Sequence, residues 1–422
     1  MTPRLASGVG WLHSNSNRWP VVPLRLIARM GTGHTPDRSK LEYWRDCHIP
    51  WVTTPDLTSQ PDSVAPLMET QQKISQLGLE NSAAVLHEAG TVMLSRTASI
   101  GYSTLIGRPM ATTQAFVTWS PGPLLDSRFL LYVLRAMSQE WERLAYGSTH
   151  KTIYMPDLES LRVPLPPLEE QRRIVRFLDR RMNLWDELMF ARRQQLDLLS
   201  QRRRALVDGL VRKAGAAEYK LFRGLRLLRD GTHQPPARVV TGVPLLTARN
   251  VSNGVLRLTE NDTHVSDEDA RVLERSLKLL PGDVLLSVKG TIGAAALVPN
   301  NFPRVVLDRN VALLRASADL LPRWLLLTLR STQLQDQMRI SVSFAAQPGL
   351  PLGAIRELRL PVPAVDIQRE FAKVVQREED WMKRSERALN GHLQLLSERR
   401  QAEIAAAITG QLDVTTANGL EE

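Results

Sequence analysis

The sequence has a single cysteine, Cys47, among its 422 residues. One thiol can form neither an intramolecular disulfide nor a cysteine-based zinc site, which fits a reducing cytoplasm. Residues 1–20 have no continuous apolar core of the kind that a signal peptide requires. The run that comes closest to a membrane span, residues 324–329, is far shorter than the roughly 20 apolar residues needed. We therefore expect a soluble, cytoplasmic protein.

Acidic residues are fewer than basic residues. The chain has 44 Asp and Glu against 54 Lys and Arg, a formal net charge of +10. This balance favours polyanionic partners, with nucleic acid ahead of an anionic membrane surface. The hydrophobic content of 43% is normal for a globular chain. A chain of 422 residues is long enough for two or three domains.

The chain contains an internal repeat, which is its most informative feature. Residues 162–171 (RVPLPPLEEQ) match residues 359–368 (RLPVPAVDIQ) at an offset of 197, and the match continues from 198–205 (LLSQRRRA) to 395–402 (LLSERRQA). Earlier matches have offsets of 194, 192 and 195: 49–57 with 243–251, 89–101 with 281–293, and 127–135 with 322–330. The offset varies by a few residues in the globular parts and is constant through the long helix. This pattern indicates a duplication followed by insertions and deletions in loops.

Each repeat begins with a globular part of mixed secondary structure. Short apolar runs at 91–94 and 283–287 have the length of strands and are bounded by Gly and Pro. Residues 126–141 and 323–338 are helical by period and composition. The pattern predicts an α+β domain in each repeat.

Two segments, 167–213 and 364–410, have almost no glycine, no internal proline and many charges. Each predicts one helix up to about 70 Å long at 1.5 Å per residue. Apolar residues at alternating spacings of three and four predict a coiled-coil seam. In the first helix the seam consists of Val175, Leu178, Met182, Trp185, Met189, Leu196, Leu199, Leu206 and Leu210, with interruptions at Arg192 and Arg203. In the second it consists of Val375, Met382, Leu389, Leu393 and Leu396, with Trp381 beside it and interruptions at Glu379, Glu386 and Arg400.

Neither helix can bury its stripe alone, so the simplest partner for each is the other. We expect an antiparallel pair with a pseudo-twofold relation between the repeats. The alternative is that the helices are docking arms for different partners. The predicted domains are a first globular domain (1–163), a first long helix (164–214), a second globular domain (215–360), and a second long helix with a C-terminal tail (361–422).

This organisation resembles the specificity subunit of type I restriction–modification systems, and the resemblance spans nearly the whole chain. GTGHTP (31–36) and IPWVTTPDL (49–57), with YW (43–44) between them, resemble the opening of many target-recognition domains. DGTHQPP (230–236) and GVPLLTARNV (242–251) resemble the opening of another subtype. Further similar motifs are the loops SRTASIG (95–101) and SVKGTIG (287–293), the helix start 164–179 and the helix end 395–414.

The resemblance implies a fold, a function and partners. Two target-recognition domains each read one half of a split DNA site, and the helices set the unread gap. One specificity subunit assembles with two methyltransferase subunits that bind S-adenosylmethionine and methylate adenine. Two restriction subunits, which use ATP and Mg²⁺, can then join. On this interpretation the chain itself binds no cofactor.

Candidate DNA-binding residues combine phosphate-binding cations with side chains that can recognise base edges. In the first domain they are His34, Arg38, Lys40, Arg45, Arg96, Arg108, Gln114, His150 and Lys151. In the second they are Arg238, Arg249, Asn250, Lys289, Arg304, Arg309, Asn310 and Gln347. The loops 95–101 and 287–293 are the strongest candidates, because each joins a basic residue to a backbone that can approach a phosphate closely. Trp185 and Trp381 are predicted to pack in the seam or against a methyltransferase, and 202–204 and 399–400 to contact partner subunits.

Motifs for catalysis or metal binding are absent from the sequence. GTGHTP lacks the Gly-Lys-Ser/Thr ending of a P-loop, and Gly31, Gly33 and Gly231 are more typical of turns. We find no Asn-Pro-Pro-Tyr/Phe tetrapeptide, no glycine-rich loop suited to S-adenosylmethionine, and no acidic pair with a lysine. We therefore expect a non-catalytic chain without a metal site. Two alternatives remain: a scaffold whose domains bind protein rather than DNA, and a self-contained nuclease or methyltransferase.

Overall fold

The computed structural model describes residues 11–12, 18–59, 63–147, 151–215, 217–234, 236–252, 254–343 and 348–414. The chain divides into two compact units. Unit 1 comprises Met1–Arg192 and Gly391–Glu422, and unit 2 comprises Arg193–Asn390. Within the described part of the chain, no helix is both long enough and apolar enough to cross a membrane.

Unit 1 is built on a four-stranded antiparallel sheet with β5, a fully buried strand, in its interior. Its strands are β1 (Val21–Pro23), β2 (Ala28–Thr32), β3 (Ile49–Val52), β4 (Gln72–Ile74), β5 (Val92–Ser95), β6 (Ser103–Leu105), β7 (Ala111–Thr112), β8 (Phe116–Pro121) and β9 (Arg162–Pro164). The main sheet has the order β2-β8-β5-β6. A second sheet has the order β4-β3-β7, with β3 and β7 parallel, and β1 pairs with β9.

The described part of unit 1 has five short α-helices, of which the third packs against β5, β6 and β8 of the main sheet, and the first long helix follows them. They are α1 (Thr54–Thr58), α2 (Gln76–Glu80), α3 (Ser127–Ala136), α4 (Ser138–Leu144), α5 (Met155–Glu159) and α6 (Leu168–Lys213). Asp126 begins α3 because its side chain accepts from the backbone N–H groups of Arg128 and Phe129. The apolar residues of α3 and β5 share one core with those of the first part of α6.

Unit 2 repeats this architecture. Its strands are β10 (Glu218–Lys220), β11 (Leu225–Asp230), β12 (Val243–Leu246), β13 (Val251–Ser252), β14 (Val255–Leu256), β15 (His264–Val265), β16 (Val284–Ser287), β17 (Ala295–Leu297), β18 (Val306–Leu307), β19 (Val311–Ala316) and β20 (Arg359–Pro361). The sheets β11-β19-β16-β17, β15-β12-β18 and β10-β20 reproduce those of unit 1 strand by strand, including the parallel pair β12 and β18. The hairpin β13-β14 is an addition in unit 2.

The helices of unit 2 also follow the order of unit 1. They are α7 (Asp267–Ser276), α8 (Pro322–Arg330), α9 (Thr332–Ile340), α10 (Leu352–Glu357) and α11 (Val365–Thr409). The segments 126–141 and 323–338 are helical, as their period and composition predicted, but each forms two helices. The first breaks at Met137 and the second at Ser331, whose side chain accepts from the Leu334 N–H and starts a new helix.

The long helices pack together within each unit, and the predicted α+β fold with paired helices is confirmed. In unit 1, Arg181 of α6 contacts Glu403 of α11 at 2.6 Å, and Asp186, further along α6, contacts Arg400 at 3.4 Å. The residue numbers run in opposite directions, so the helices are antiparallel. In unit 2, Arg203 contacts Glu386 at 2.7 Å.

Most of the predicted seam is buried, and part of it packs into the core of each unit. Val175, Leu178, Met182, Trp185, Met189, Leu199, Val375 and Met382 are at most 9% exposed. Leu196, Leu389, Leu393 and Leu396 are half-buried. Trp381 is not part of the seam: it is 41% exposed, and the Arg202 guanidinium lies 4.8 Å from its ring centroid.

Candidate nucleic-acid interface

The loop between β5 and β6 of unit 1, residues 95–101, is held by its own backbone. The N–H of Gly101 donates to the oxygen of Ser95 over 3.1 Å, and the N–H of Ser99 donates to the oxygen of Thr97 over 2.9 Å. Ala98 has a φ of 64°, in the left-handed region that side chains rarely occupy. Such a turn is defined by hydrogen bonds rather than by side-chain packing, so its surface side chains are free to vary.

The loop between β16 and β17 of unit 2, residues 287–293, has the same construction. The N–H of Gly293 donates to the oxygen of Ser287 over 3.0 Å, and the N–H of Ile292 donates to the oxygen of Gly290 over 2.9 Å. Gly290, with a φ of 74°, occupies the position of Ala98. The two loops therefore share one pattern of backbone hydrogen bonds but differ in several side chains.

In unit 1, four loops are joined by hydrogen bonds into one surface, which we name loop cluster 1 (residues 33–38, 95–101, 112–115 and 151–153). The N–H of His34 donates to the oxygen of Thr112 over 3.0 Å, and that of Arg96 to the oxygen of Ala115 over 2.9 Å. The N–H of Ile153 returns to the oxygen of Arg96 over 2.9 Å. Residues far apart in sequence thus become neighbours on one face of the unit.

In unit 2, the corresponding loops form loop cluster 2 (residues 231–234, 247–250, 287–293, 308–310 and 349–350). The N–H of Thr232 donates to the oxygen of Leu307 over 3.0 Å, and that of Val288 to the oxygen of Asn310 over 2.9 Å. The N–H of Leu350 donates to the oxygen of Val288 over 2.9 Å. The hydroxyl of Thr291 donates to the oxygen of Ala248 over 3.3 Å.

Gly33 and Gly231 have matching structural roles in the two clusters. A Cβ at Gly33 would lie 1.9 Å from the backbone oxygen of Thr112, and a Cβ at Gly231 would lie 2.2 Å from that of Leu307. Only glycine allows this close approach of two chains. Both glycines therefore shape the loops, as their turn-like sequence context predicted.

Loop cluster 1 brings together five of the candidate residues in unit 1, namely His34, Arg38, Arg96, Gln114 and Lys151. His34, Arg38, Gln114 and Lys151 are exposed, and the Oε1 of Gln114 accepts from the Thr35 hydroxyl over 2.7 Å. Arg96 is half-buried, and its Nη1 donates to the oxygen of Ile153 over 3.4 Å. His150 lies outside the described residues.

The other candidates of unit 1 lie beside the cluster or apart from it. Lys40 and Arg45 are exposed in the segment that follows loop 33–38. The Nζ of Lys40 donates to the Tyr43 hydroxyl over 3.2 Å, and this contact raises the pKa of Lys40. Arg108 lies in a separate loop between β6 and β7, where it pairs with Glu69 at 2.7 Å.

Loop cluster 2 brings together Lys289, Arg309, Asn310 and Arg249. Arg309 is exposed, and Lys289 and Asn310 are half-buried. Arg249 is exposed but pairs with Asp262 at 3.2 Å. Arg238 is exposed just beyond the cluster, and Gln347 lies outside the described residues.

Asn250 does not have the environment expected of a base-contacting residue. It is 2% exposed, and its Oδ1 accepts from the N–H and the hydroxyl of Thr247 over 2.8 and 3.0 Å. In unit 1, Asp56 makes the same two contacts with Thr53, both at 2.7 Å. We therefore remove Asn250 from the base-contacting candidates, because this capping box fixes the local turn in both repeats.

The side chain of Arg304 is also bound by acidic residues of its own unit. It hydrogen-bonds both oxygens of Glu274 over 2.8 and 2.9 Å and also contacts Asp267 of α7. The two carboxylates raise the pKa of Arg304 and lower the pKa of Asp267 and Glu274. This network holds the start of β18 against α7, so the guanidinium of Arg304 is already bound by carboxylates of its own unit.

Sequence reasoning missed an aromatic group at the edge of loop cluster 1. The rings of Trp44 and Trp51 meet edge to face, with centroids 5.5 Å apart, and the Arg38 guanidinium lies over both. The YW pair at 43–44 was a sign of this aromatic group in the sequence, but it was interpreted only as part of the family resemblance. Trp44 and Trp51 are seven positions apart in the sequence, and their contact depends on the 3₁₀ helix Leu41–Trp44.

The described residues contain no group of three or more His, Cys, Asp or Glu side chains that could hold a metal ion. The dominant chemistry of the two clusters is therefore that of exposed cations, amides and backbone N–H groups. Such groups bind phosphates and hydrogen-bond base edges.

Comparison with known proteins finds similarity to specificity subunits of type I restriction enzymes. Residues 17–198 match the family model described as the type I restriction modification DNA specificity domain. The chain is 23% identical over 378 residues to the type I restriction enzyme EcoprrI specificity subunit of Escherichia coli, covering 84% of this chain and 86% of that protein. It is 22% identical to the EcoKI specificity subunit of E. coli K12, covering 93% and 89%.

A relative from an archaeon matches a shorter region. The MjaIX specificity subunit of Methanocaldococcus jannaschii is 26% identical over 185 residues, which cover 43% of this chain and 41% of that protein. Among solved structures, a chain from work on complex assembly and conformational transition of the type I R-M system has a TM-score of 0.67 at 18% identity. That match covers 93% of this chain and 98% of the other. This likeness supports the fold described above.

Proposed function

We propose that this chain is a specificity subunit of a type I restriction–modification system and that each unit binds one half of a bipartite DNA site. The observation that carries this proposal is the pair of loop clusters. Both rest on the same backbone framework, down to the matching turns at Ala98 and Gly290, yet they present different side chains. A duplicated framework with divergent surface chemistry is what recognition of two different half-sites requires.

Affinity and specificity would come from different groups in each cluster. Lys151 and Lys289 stand next to turns whose backbone can approach a phosphate, and such contacts position a protein on DNA. His34 and Gln114 in unit 1, and Arg309 and Asn310 in unit 2, are accessible donors and acceptors for base edges. The net charge of +10 adds long-range attraction to DNA.

The long helices would set the distance between the half-sites and bind the partner subunits. Both α6 and α11 pass from one unit to the other without a break. Half-sites one helical turn apart on DNA are separated by about 34–36 Å, a distance that helices of this length can span. Exposed apolar residues on α6, including Leu184, Phe190 and Leu198, are available for docking.

The remaining partners and cofactors belong to the same proposal. The chain acts as a non-catalytic, cytoplasmic subunit and docks two methyltransferase subunits, which carry S-adenosylmethionine. Restriction subunits that use ATP and Mg²⁺ can join the complex. A scaffold that binds only protein is the less favoured function, because it gives no role to two basic, duplicated loop clusters.

The test is to co-express the chain with the methyltransferase subunit of its system and to map methylated adenines across a genome by single-molecule sequencing. We expect one split motif, methylated only when both proteins are present. The methyltransferase alone and this chain alone are the controls. Methylation by this chain alone would contradict the non-catalytic role. A stable complex that methylates nothing would favour the scaffold.

A further inference from the structure

One arginine of unit 1 rests on an aromatic platform at the edge of loop cluster 1. The Cζ atom of Arg38 lies 5.3 Å from the centroid of the Trp44 ring and 5.9 Å from that of Trp51. The two indole rings are inclined at 72° to each other. A guanidinium packed on aromatic rings is attracted by their π faces and loses much of its rotational freedom before any ligand arrives.

The platform is itself anchored to the fold. Trp51 is 1% exposed, and its Nε1 donates to the backbone oxygen of His34 over 3.2 Å. The Nε1 of Trp44 donates to the backbone oxygen of Asp37 over 3.1 Å. The Asp37 carboxylate accepts from the N–H and hydroxyl of Ser39 over 2.9 and 2.8 Å, which fixes the turn that carries Arg38. The two anchored indole rings and the turn at Asp37 thus fix the position of the guanidinium.

The donor groups of Arg38 remain available. The side chain is exposed, and within the described ranges no carboxylate or backbone oxygen accepts from it. Other candidate arginines differ, because Arg108 pairs with Glu69 and Arg304 with Glu274. A pre-positioned guanidinium whose N–H groups have no acceptor in the described part of the chain can form a bidentate hydrogen bond with a ligand.

We propose that Arg38 recognises a guanine in the half-site bound by unit 1, and that Trp44 is the residue that positions it. This inference rests on the proposed DNA-binding function. In the major groove, guanine presents N7 and O6 as two adjacent acceptors that match two N–H groups of one guanidinium. Adenine presents an amino donor in place of O6, which would face the donors of Arg38 and be rejected.

A phosphate contact would not need this platform. Phosphate oxygens accept hydrogen bonds over a wide range of directions, and a mobile cation on a flexible stem binds them well. Contact with two rings inclined at 72° restricts the orientation of the guanidinium and therefore favours a ligand whose two acceptors are fixed relative to each other. The nearby Gln114 and His34 surround this position with further groups suited to base edges.

The experiment uses the full chain with its methyltransferase subunit and compares the methylated motif of the wild type with that of Arg38→Lys and Arg38→Ala. We expect a guanine in the half-site of unit 1. Both variants should lose discrimination at that single base pair by about ten- to a hundredfold. The other half-site should stay unchanged. Arg25→Ala, an exposed arginine away from the cluster, is the charge-matched control and should leave the motif intact.

The role of Trp44 is tested in the same assay. Trp44→Leu should relax the same base pair as Arg38→Ala, and Trp44→Phe should restore discrimination because a ring face returns. A purely structural tryptophan would instead lower the stability of unit 1 without relaxing one position.

Two results would overturn the inference while leaving the proposed function in place. The first is an unchanged motif in Arg38→Ala. The second is a uniform loss of methylation at all sites, with one fewer ion released on binding, which indicates a phosphate contact. Failure of the wild-type complex to methylate any split motif would instead remove the proposed function, and this inference with it.

Discussion

A buried glutamine joins the globular part of each repeat to its long helix. The Oε1 of Gln171 accepts from the Asp126 N–H over 2.8 Å, and its Nε2 donates to the oxygens of Leu124 and Pro166, both over 2.9 Å. Gln368 makes the equivalent three contacts, with Leu321, Asp319 and Pro363. Both side chains are fully buried. This explains why a glutamine ends the repeated motif at the start of each helix.

Gln171→Ala should therefore destabilise unit 1 strongly. The change leaves one N–H and two carbonyl groups without partners in the interior, at an expected cost of about 2–4 kcal/mol. Urea denaturation of the purified chain measures the effect. Gln201→Ala, at an exposed position of α6, is the matched control and should change stability by less than about 0.5 kcal/mol. Equal midpoints for the two variants would contradict the proposed junction.

His87 should make the stability of unit 1 depend on pH. It is 7% exposed, and burial, together with the nearby Arg29, lowers its pKa below the ordinary value of 6.5. Above pH 6.5 the histidine is neutral in both states, and its contribution to stability is complete. As the pH falls through 6.5 toward the lowered pKa, His87 becomes protonated in the unfolded chain but stays neutral in the folded chain. The free energy of unfolding therefore falls.

Thermal denaturation at pH 7.5 and pH 5.5 checks this expectation. The wild type should lose more stability between these two pH values than His87→Gln does. His392→Gln, at an exposed position of α11, is the control and should follow the wild type. Parallel losses in all three proteins would show that His87 does not cause the pH dependence.

Residue type predicted the chemistry of the candidate residues but not their surroundings. Lys289 and Gln114 lie in the loop clusters, whereas Asn250 is buried in a capping box and Arg304 is bound by two carboxylates. An amide or a guanidinium has the same donors whether its partner is a base or its own protein. The alignment of IPWVTTPDL with VPLLTARNV contained the missing signal, since Asn250 corresponds to the acidic capping residue Asp56.

At the scale of elements, the long helices were predictable, whereas the breaks that divide the helical segments 126–141 and 323–338 were not. The predicted segments 167–213 and 364–410 agree with α6 (Leu168–Lys213) and α11 (Val365–Thr409) within one residue, because a long periodic stripe outweighs local exceptions. At the breaks near Met137 and Ser331, side chains of the following helix satisfy carbonyl groups of the preceding one. The Trp141 Nε1 donates to the carbonyl of Leu134, and the Gln335 Nε2 donates to that of Leu329.

Three of the charged residues that interrupt the seam form ion pairs between the long helices. Arg203 and Arg400 occupy equivalent positions of the repeat, and they pair with Glu386 and Asp186 respectively. Arg203 and Glu386 are 20% and 29% exposed, so each charge is partly desolvated. Removing one member should be worse than removing both, because the remaining charge stays in the helix contact.

A double-mutant cycle measures this coupling. Arg203→Leu alone should destabilise unit 2 by about 1–2 kcal/mol, and the double variant Arg203→Leu/Glu386→Leu should recover most of that loss. The readout is the urea midpoint of each variant. Arg204→Leu, which replaces the exposed neighbour, is the control for added hydrophobicity. Strict additivity of the two single changes would rule out the pair as a stabilising contact.

At the scale of the whole molecule, the repeat predicted that two similar units exist, but not how their strands are arranged. The order β2-β8-β5-β6 and the parallel pairing of β3 with β7 join segments separated by many residues. Such pairings depend on which buried faces meet, and the short strands leave only weak patterns in the sequence. The repeat offsets of 192 to 197 did indicate where loops had changed length.

Helix length should determine the gap between the two half-sites. Inserting four residues into α6 after Arg192 and four into α11 after Asn390 adds about 6 Å to each helix at 1.5 Å per residue. Base pairs rise about 3.4 Å each, so the methylated motif should gain one to two base pairs in its gap. An insertion of four residues shifts the seam as a stutter, which a coiled coil accommodates by local unwinding.

The two half-sites themselves should not change in the lengthened protein, because the loop clusters are untouched. Mapping methylated adenines in cells that express the lengthened chain with the methyltransferase measures both the gap and the half-sites. A variant with four exposed helix residues replaced, at constant length, should keep the original gap. If the lengthened chain methylates the original motif at full level, helix length does not set the spacing. The units would then adjust to DNA independently of the helices.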